Sequence, residues 1–212
     1  RSMMGISDNT ATDLLHAWAG RGRMNQAVAE LGMAQPTLLT PLLNISEQFH
    51  VFRSFPLAEA LSYVNGSEPF QEQFVVERIE PLGPITAYPF FHVDLMTSGT
   101  WKASPMDICA AFAALRRLPQ GSEALATVDA ALGSQAAQPE VRGDFDRVWY
   151  KGGSLAQVAG SFHVLTHAWM LEDAGRDPFV VVAMSNSNTG GIDQFAVQSI
   201  TGRILELVSQ LP

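Results

Sequence analysis

The chain has 212 residues, 47% of them apolar and 16% charged, which fits one folded body with a substantial core and excludes a disordered chain. Its formal charge of −8, with no basic cluster longer than Arg116-Arg117, excludes a nucleic-acid surface, because that affinity comes from lysine and arginine. No apolar run approaches the ~20 residues needed to cross a bilayer, so no transmembrane segment is expected.

From the N-terminus, Asp8 or Asn9 caps a helix opening at Thr10, with Ala11, Leu14, Leu15 and Trp18 as one apolar stripe up to Gly20. Met24, Ala27, Val28 and Leu31 repeat the spacing in a second helix that Gly32 closes. A loop over residues 36–41 leads to Asn44-x-x-Glu47, a capping box for a helix through Phe49 and Phe52. Residues 57–64 form a further helix, stopped by Asn65-Gly66. Over residues 69–99 the prolines at 81, 84 and 89 predict irregular chain with at most short strands. Ser104-Pro105-x-Asp107 starts a helix to about residue 118, since proline suits the first turn and an acid suits the positive helix end. Another helix spans residues 122–132.

The last third changes character. Residues 145–150, 161–171 and 179–184 are rich in Val, Phe, Trp and Thr and read as three strands, with a hairpin loop at 173–177. Val197, Ile200, Ile204, Leu207, Val208 and Leu211 mark the apolar stripe of a closing helix. Helices, then an antiparallel meander, then a helix predict an α+β fold, helices packed on an antiparallel sheet, in a single domain over 1–212. A three-stranded sheet leaves an edge open.

Cys109 is the single cysteine and lies in an apolar run, where an inert buried thiol is expected. His163 and His167, four apart, would share a helix face as in zinc proteases, but Val164 stands where such a motif has glutamate. In a strand the two rings lie about 13 Å apart, too far to share an ion. No metal and no cofactor is expected. His92 and Asp94 read as loop groups bonded to backbone. Trp18, Trp149 and Trp169 read as core, and Trp101 as a loop residue.

Two short segments carry chemical information. Ser7-Asp8-Asn9 leads into the first long helix, and Val148-Trp149-Tyr150 runs as a strand into a Lys151-Gly152-Gly153-Ser154 turn. Alone, the first is a helix-cap cluster and the second a bulge or turn. Paired in this order, they match the Ser-Asp-Asn loop and Lys-(Thr/Ser/Gly)-Gly strand that surround an acylated serine. Residues 4–15, 103–108 and 151–154, followed by two strands and a terminal helix, resemble class A β-lactamase-like serine hydrolases of the β-lactamase and penicillin-binding protein superfamily.

The resemblance implies a role for each matching residue. Ser7 relays a proton between the nucleophile and the leaving group, aided by the ammonium of Lys151. Lys151 also holds positive potential against a substrate carboxylate and the developing oxyanion. The backbone N–H of Ser154 is one oxyanion donor. Asn9 bonds a substrate amide, and Gly152 and Gly153 complete the substrate-binding strand. It further implies an amide or ester substrate, β-lactam or peptidoglycan-peptide-like, and a periplasmic or secreted location.

Three departures stand out. The chain has two lysines, Lys102 and Lys151, and neither follows a serine by three residues, so Ser-x-x-Lys is absent from these 212 residues. By itself this polypeptide is expected to be inactive, as a domain lacking its N-terminal part, with the nucleophile outside it. Gly152 replaces the hydroxyl residue common in the family. No Glu-x-x-x-Asn loop matches, and Glu47 reads as a cap. Without neighbouring strands, 179–184 would expose an apolar edge, so an N-terminal segment or a second chain is expected to complete the sheet. The alternative reading is a non-catalytic binding or scaffold protein that retains the fold.

Overall fold

The computed structural model describes residues 2–86, 92–99, 101–134, 139–157 and 161–211. Helix α1 (Ser2–Gly5) precedes the Ser7 segment. Next come α2 (Asn9–Ala19), α3 (Arg21–Glu30), α4 (Ile45–Arg53), α5 (Leu57–Val64), α6 (Glu68–Phe74) and α7 (Leu95–Ser98). The remainder holds α8 (Pro105–Arg116), α9 (Glu123–Leu132), α10 (Pro139–Asp144), β1 (Arg147–Ala156), β2 (Phe162–Glu172), β3 (Phe179–Asn186) and α11 (Gln194–Ser209). The fold is α+β, and the chain divides into two compact units, Asn9–Ser104 and Arg1–Asp8 with Pro105–Pro212.

The all-helical unit is built on α4 to α6. Asn44 caps α4 through a full capping box, its side chain accepting from the Glu47 amide while the Glu47 carboxylate accepts from the Asn44 amide. Val51, Phe52, Phe55, Ala60, Tyr63, Phe74, Val75 and Ile79 form the buried interior. Phe55 and Tyr63 each pack on Phe74 with centroids 5.2 Å apart.

Two expectations fail in this unit. Residues 68–82 are helical: α6 continues through a π-helical turn at Val75–Ile79 and a 3-10 turn at Glu80–Leu82. The prolines do not oppose this, because Pro69 occupies the first turn of α6 and Pro81 falls in the closing turn. Of the irregular chain expected at 69–99, residues 87–91 lie outside the described residues. The second failure is the face of α2. Leu14, Leu15 and Trp18 are exposed, Trp18 by 81%. The inward groups are polar instead: Asp13 accepts from the amides of Ile45 and Ser46 at the start of α4, and His16 Nε2 lies 2.8 Å from the Leu42 carbonyl oxygen. Satisfying buried backbone decided which face turned inward.

In the other unit the sheet order is β1-β2-β3, antiparallel throughout. One face packs Trp149, Ala168 and Met170 on Phe112 of α8 and Leu125 and Leu132 of α9. The opposite face packs Trp169 and Leu171 on Val141, Phe145 and Leu205 of α11. Ser122 caps α9 by accepting from the Leu125 amide. At the β2–β3 hairpin, Asp173 accepts from the Asp146 amide and pairs with Arg176.

β1 and β3 exceed their expected lengths, while β2 keeps its 11 residues shifted by one, and the excess in β1 matters for function. Lys151-Gly152-Gly153-Ser154 is not a turn after a strand but the middle of β1, paired with Ala168, His167, Thr166 and Leu165 in turn. Helix α11 also rotates from expectation. Thr201 and Leu205 are buried and Val208 half-buried, whereas Ile200, Ile204, Leu207 and Leu211 are exposed. The periodicity fits either face, and the sheet takes the one whose Leu205 joins Trp169 and Leu171.

Candidate active site

The site residues Ser7, Lys151, Gly152, Gly153 and Ser154 lie in the sheet-bearing unit, and Asn9 opens α2 of the all-helical unit. β1 is an edge strand among the described residues, so one row of its backbone groups is free of the β2 ladder. Gly153 and Ser154 are exposed on it.

Lys151 Nζ donates to Ser7 Oγ at 2.6 Å across a sequence separation of 144 residues, and to the Gly152 carbonyl at 2.5 Å. Burial holds the Lys151 ammonium below the ordinary lysine value. It is thus half-dehydrated and next to a hydroxyl, where a cation acts more strongly than in water. Ser7 sits at φ 53°, a left-handed conformation unusual for serine. That backbone carries about 1–2 kcal/mol of local strain. The strained turn sits where α1 has ended and α2 has not begun, and it presents the hydroxyl at the end of the Lys151 side chain.

On β1, Tyr150 and Gly152 share a face. Tyr150 Oη lies 2.7 Å from His167 Nδ1, and His167 is the cross-strand partner of Gly152. Tyr150, His167 and Trp169 form a three-ring cluster in mutual contact, His167 stacked on Tyr150 at 6.0 Å and on Trp169 at 5.5 Å, and Tyr150 tilted against Trp169 at 5.0 Å. Burial lowers the His167 pKa and raises that of the Tyr150 phenol, so both stay neutral at pH 7. His167 Nε2 and Trp169 Nε1 are buried without a hydrogen-bond partner among the described residues. A Cβ on Gly152 would stand 2.5 Å from Tyr150 Oη, so a larger residue there requires the phenol to move.

Asn9 lines a cavity of about 780 Å³ within the all-helical unit, alongside Asp13, Phe49 and Ile79. Glu47 lines the same cavity, but Arg21 holds it bidentately at 3.0 and 2.7 Å. Burial would raise the Glu47 pKa; the Arg21 bond and the Asn44 amide outweigh that and leave it lowered. A carboxylate so held is a cap and an ion-pair partner, ill suited to take a proton from water. Cys109 is half-buried rather than buried as expected, and desolvation raises its thiol above the ordinary value. His163 is buried with Nδ1 3.0 Å from the Ser187 carbonyl oxygen, and His92 Nε2 is 2.6 Å from that of Phe55. Among the described residues no three metal-ligating side chains cluster, and no helix is long and apolar enough to cross a membrane.

Sequence reading gave Tyr150 no role. The available signal was its place two residues before Gly152, which in a strand puts both on one side. Reading Lys-Gly-Gly as a turn hid that relation.

A family model described as the beta-lactamase enzyme family matches residues 1–208. No curated protein matches the chain. The match spans both units and includes every residue of the Ser7–Lys151 cluster. The chain belongs to the β-lactamase enzyme family.

Proposed function

We propose that this chain forms two walls of an acyl-serine site that cleaves an amide or ester, β-lactam or peptidoglycan-peptide-like, with the attacking serine supplied from outside these 212 residues. The hydrogen bond between Lys151 and Ser7 carries the reading. In it, the nucleophile's proton passes through the Ser7 hydroxyl to the leaving nitrogen or oxygen, while the Lys151 ammonium keeps that hydroxyl polarised. The Ser154 N–H donates to the oxyanion, Asn9 bonds the substrate amide, and Gly152 and Gly153 let the substrate lie along the edge of β1. Glu47 takes no part, so an acyl intermediate waits on another base and turns over slowly. Membership of the family also favours export, to the periplasm or outside the cell.

The same reading requires a further segment of polypeptide, N-terminal or from a second chain, beside β3. Two features support it: no strand pairs with the outer edge of β3 among the described residues, and α11 exposes Phe195, Ile200, Ile204 and Leu207. The test is incubation of the complete gene product with benzylpenicillin and with an activated ester, followed by intact mass and product analysis. A covalent adduct or turnover is expected, and neither would end the reading. A non-catalytic binding or scaffold role is the second reading, favoured by the absence of Ser-x-x-Lys from the chain. A coding frame that opens at Met3 would select it.

A further inference from the structure

Residue 152 is approached from two sides. The Lys151 ammonium donates to its carbonyl oxygen, and the Tyr150 hydroxyl fills the space its side chain would take, 2.5 Å from the missing Cβ. The strand therefore has a hydroxyl where glycine has none, delivered from two residues upstream. Tyr150 and Gly152 are both partly exposed, next to the exposed Gly153 and Ser154.

The phenol is held by a half-buried histidine whose Nε2 is enclosed, and its proton has a direction. His167 is neutral and has one N–H to place. On Nε2 that proton would be a buried donor without a partner among the described residues. On Nδ1 it donates to Tyr150 Oη, 2.7 Å away. Orphaned buried N–H groups are the rarer and costlier defect, so the Nδ1 tautomer is favoured. In that tautomer the phenol oxygen accepts from His167, and its own O–H is left to donate outward. A hydroxyl over the Cα of Gly152 and an ammonium at its carbonyl, at one strand residue, together suit a carboxylate.

We propose that Tyr150 is a specificity-determining residue whose hydroxyl, positioned by His167 over Gly152, donates to a carboxylate of the ligand lying on β1 while Lys151 supplies the opposite charge. The inference deepens the proposed function and rests on it for the location of the ligand. Carboxylate-bearing acyl compounds are the ligand class, and neutral analogues are discriminated against. His167 is a positioning residue that never touches the ligand.

The test is equilibrium binding, which needs no acylation. Phenylacetylglycine and its N-methylamide are titrated into the protein by calorimetry, with the imidazole nitrogens of His167 followed by NMR. The wild type binds the acid more tightly than the amide. Y150F lowers that preference about tenfold, the size of one hydrogen bond to a charged group, and leaves the amide affinity unchanged. In Y150F/G152S the 2.5 Å contact with the phenol oxygen is gone, the ring needs to give by only a few tenths of an ångström from Cζ at 3.2 Å, and the restored hydroxyl recovers the preference. Three results each overturn the inference: no preference in the wild type, full preference in Y150F, or equal loss of both ligands in Y150F with no recovery in the double variant. Absence of a penicillin adduct with the acid preference intact would instead remove the acyl-serine reading and leave this subsite standing.

Discussion

The ammonium of Lys151 lies 2.6 Å from the hydroxyl of Ser7, and it is the Lys151 side chain that burial strips of water. The pair joins a strained turn to the middle of a strand. Replacing Lys151 by methionine keeps the stem and removes the charge. In the complete gene product, acylation by an activated ester is expected to slow by about 10²–10³-fold, the range for losing one electrostatic contact to a developing oxyanion. Stopped-flow acylation rates check this, and an unchanged rate would separate Lys151 from the chemistry.

The same burial has a pH signature. Because the native pKa of Lys151 lies below 10.5, the unfolded chain binds more protons between the two values, and stability rises with pH across that window. The raised Cys109 thiol and Tyr150 phenol act in the opposite sense in this range, so urea titrations from pH 8 to 11 are expected to show the wild type gaining stability relative to K151M as pH rises.

Ser7 separates backbone from side chain. At φ 53° a glycine is unstrained, so S7G is expected to be more stable than S7A by about 1 kcal/mol. Both variants lack the hydroxyl and are expected to acylate equally slowly. Thermal melts and burst rates on the two proteins make the comparison. A rate restored in S7A would remove the proton-relay role.

Glu172 on β2 accepts from Arg116 Nε and Nη2, both at 2.6 Å, and from Arg147 Nη1 at 3.0 Å. The Arg116 bond, and then the charge of Arg147, overcome burial and hold its carboxyl below 4.5. Its stabilisation is therefore complete above pH 4.5 and lost as pH falls through the lower native value. E172Q is expected to cost about 1–3 kcal/mol at pH 7, between the limits for exposed and buried ion pairs, and to flatten the acid limb of the stability profile. His167, also lowered, adds a loss that begins below pH 6.5.

Two tryptophans test the packing. Trp149 is fully buried and donates from Nε1 to Asp129 at 2.8 Å, whereas Trp18 is 81% exposed. W149A is expected to cost about 3–5 kcal/mol and W18A less than about 0.5 kcal/mol in urea unfolding. A large cost for W18A would mean that the α2 stripe is covered.

Local chemistry was the most legible part of the sequence. Asn44-x-x-Glu47, Ser122 and the closed span Leu57–Val64 each became the element their residues specify, because caps and stops act within one helical turn. Orientation was not legible. The stripe of Leu14, Leu15 and Trp18 faces out because Asp13 and His16 are needed inside for the backbone of Leu42, Ile45 and Ser46, partners 26 to 33 residues away. α6 was missed because its prolines were counted as breakers without regard to their place in the turn. In the candidate site, the residue types around Ser7 and Lys151 were readable, but their contact spans 144 residues and no local rule encodes it. Tyr150 was invisible because its relation to Gly152 exists only when residues 150–154 are extended.

The shared space of Tyr150 Oη and a Cβ at position 152 also couples the two positions in ancestry. A descendant gaining serine at 152 while tyrosine remains at 150 must displace the phenol from its histidine. A smaller or differently turned side chain at 150 eases the second change. Relatives carrying a hydroxyl residue in the Lys-x-Gly step should therefore lack tyrosine one residue ahead of that lysine, a dependence any future collection of homologous sequences can expose.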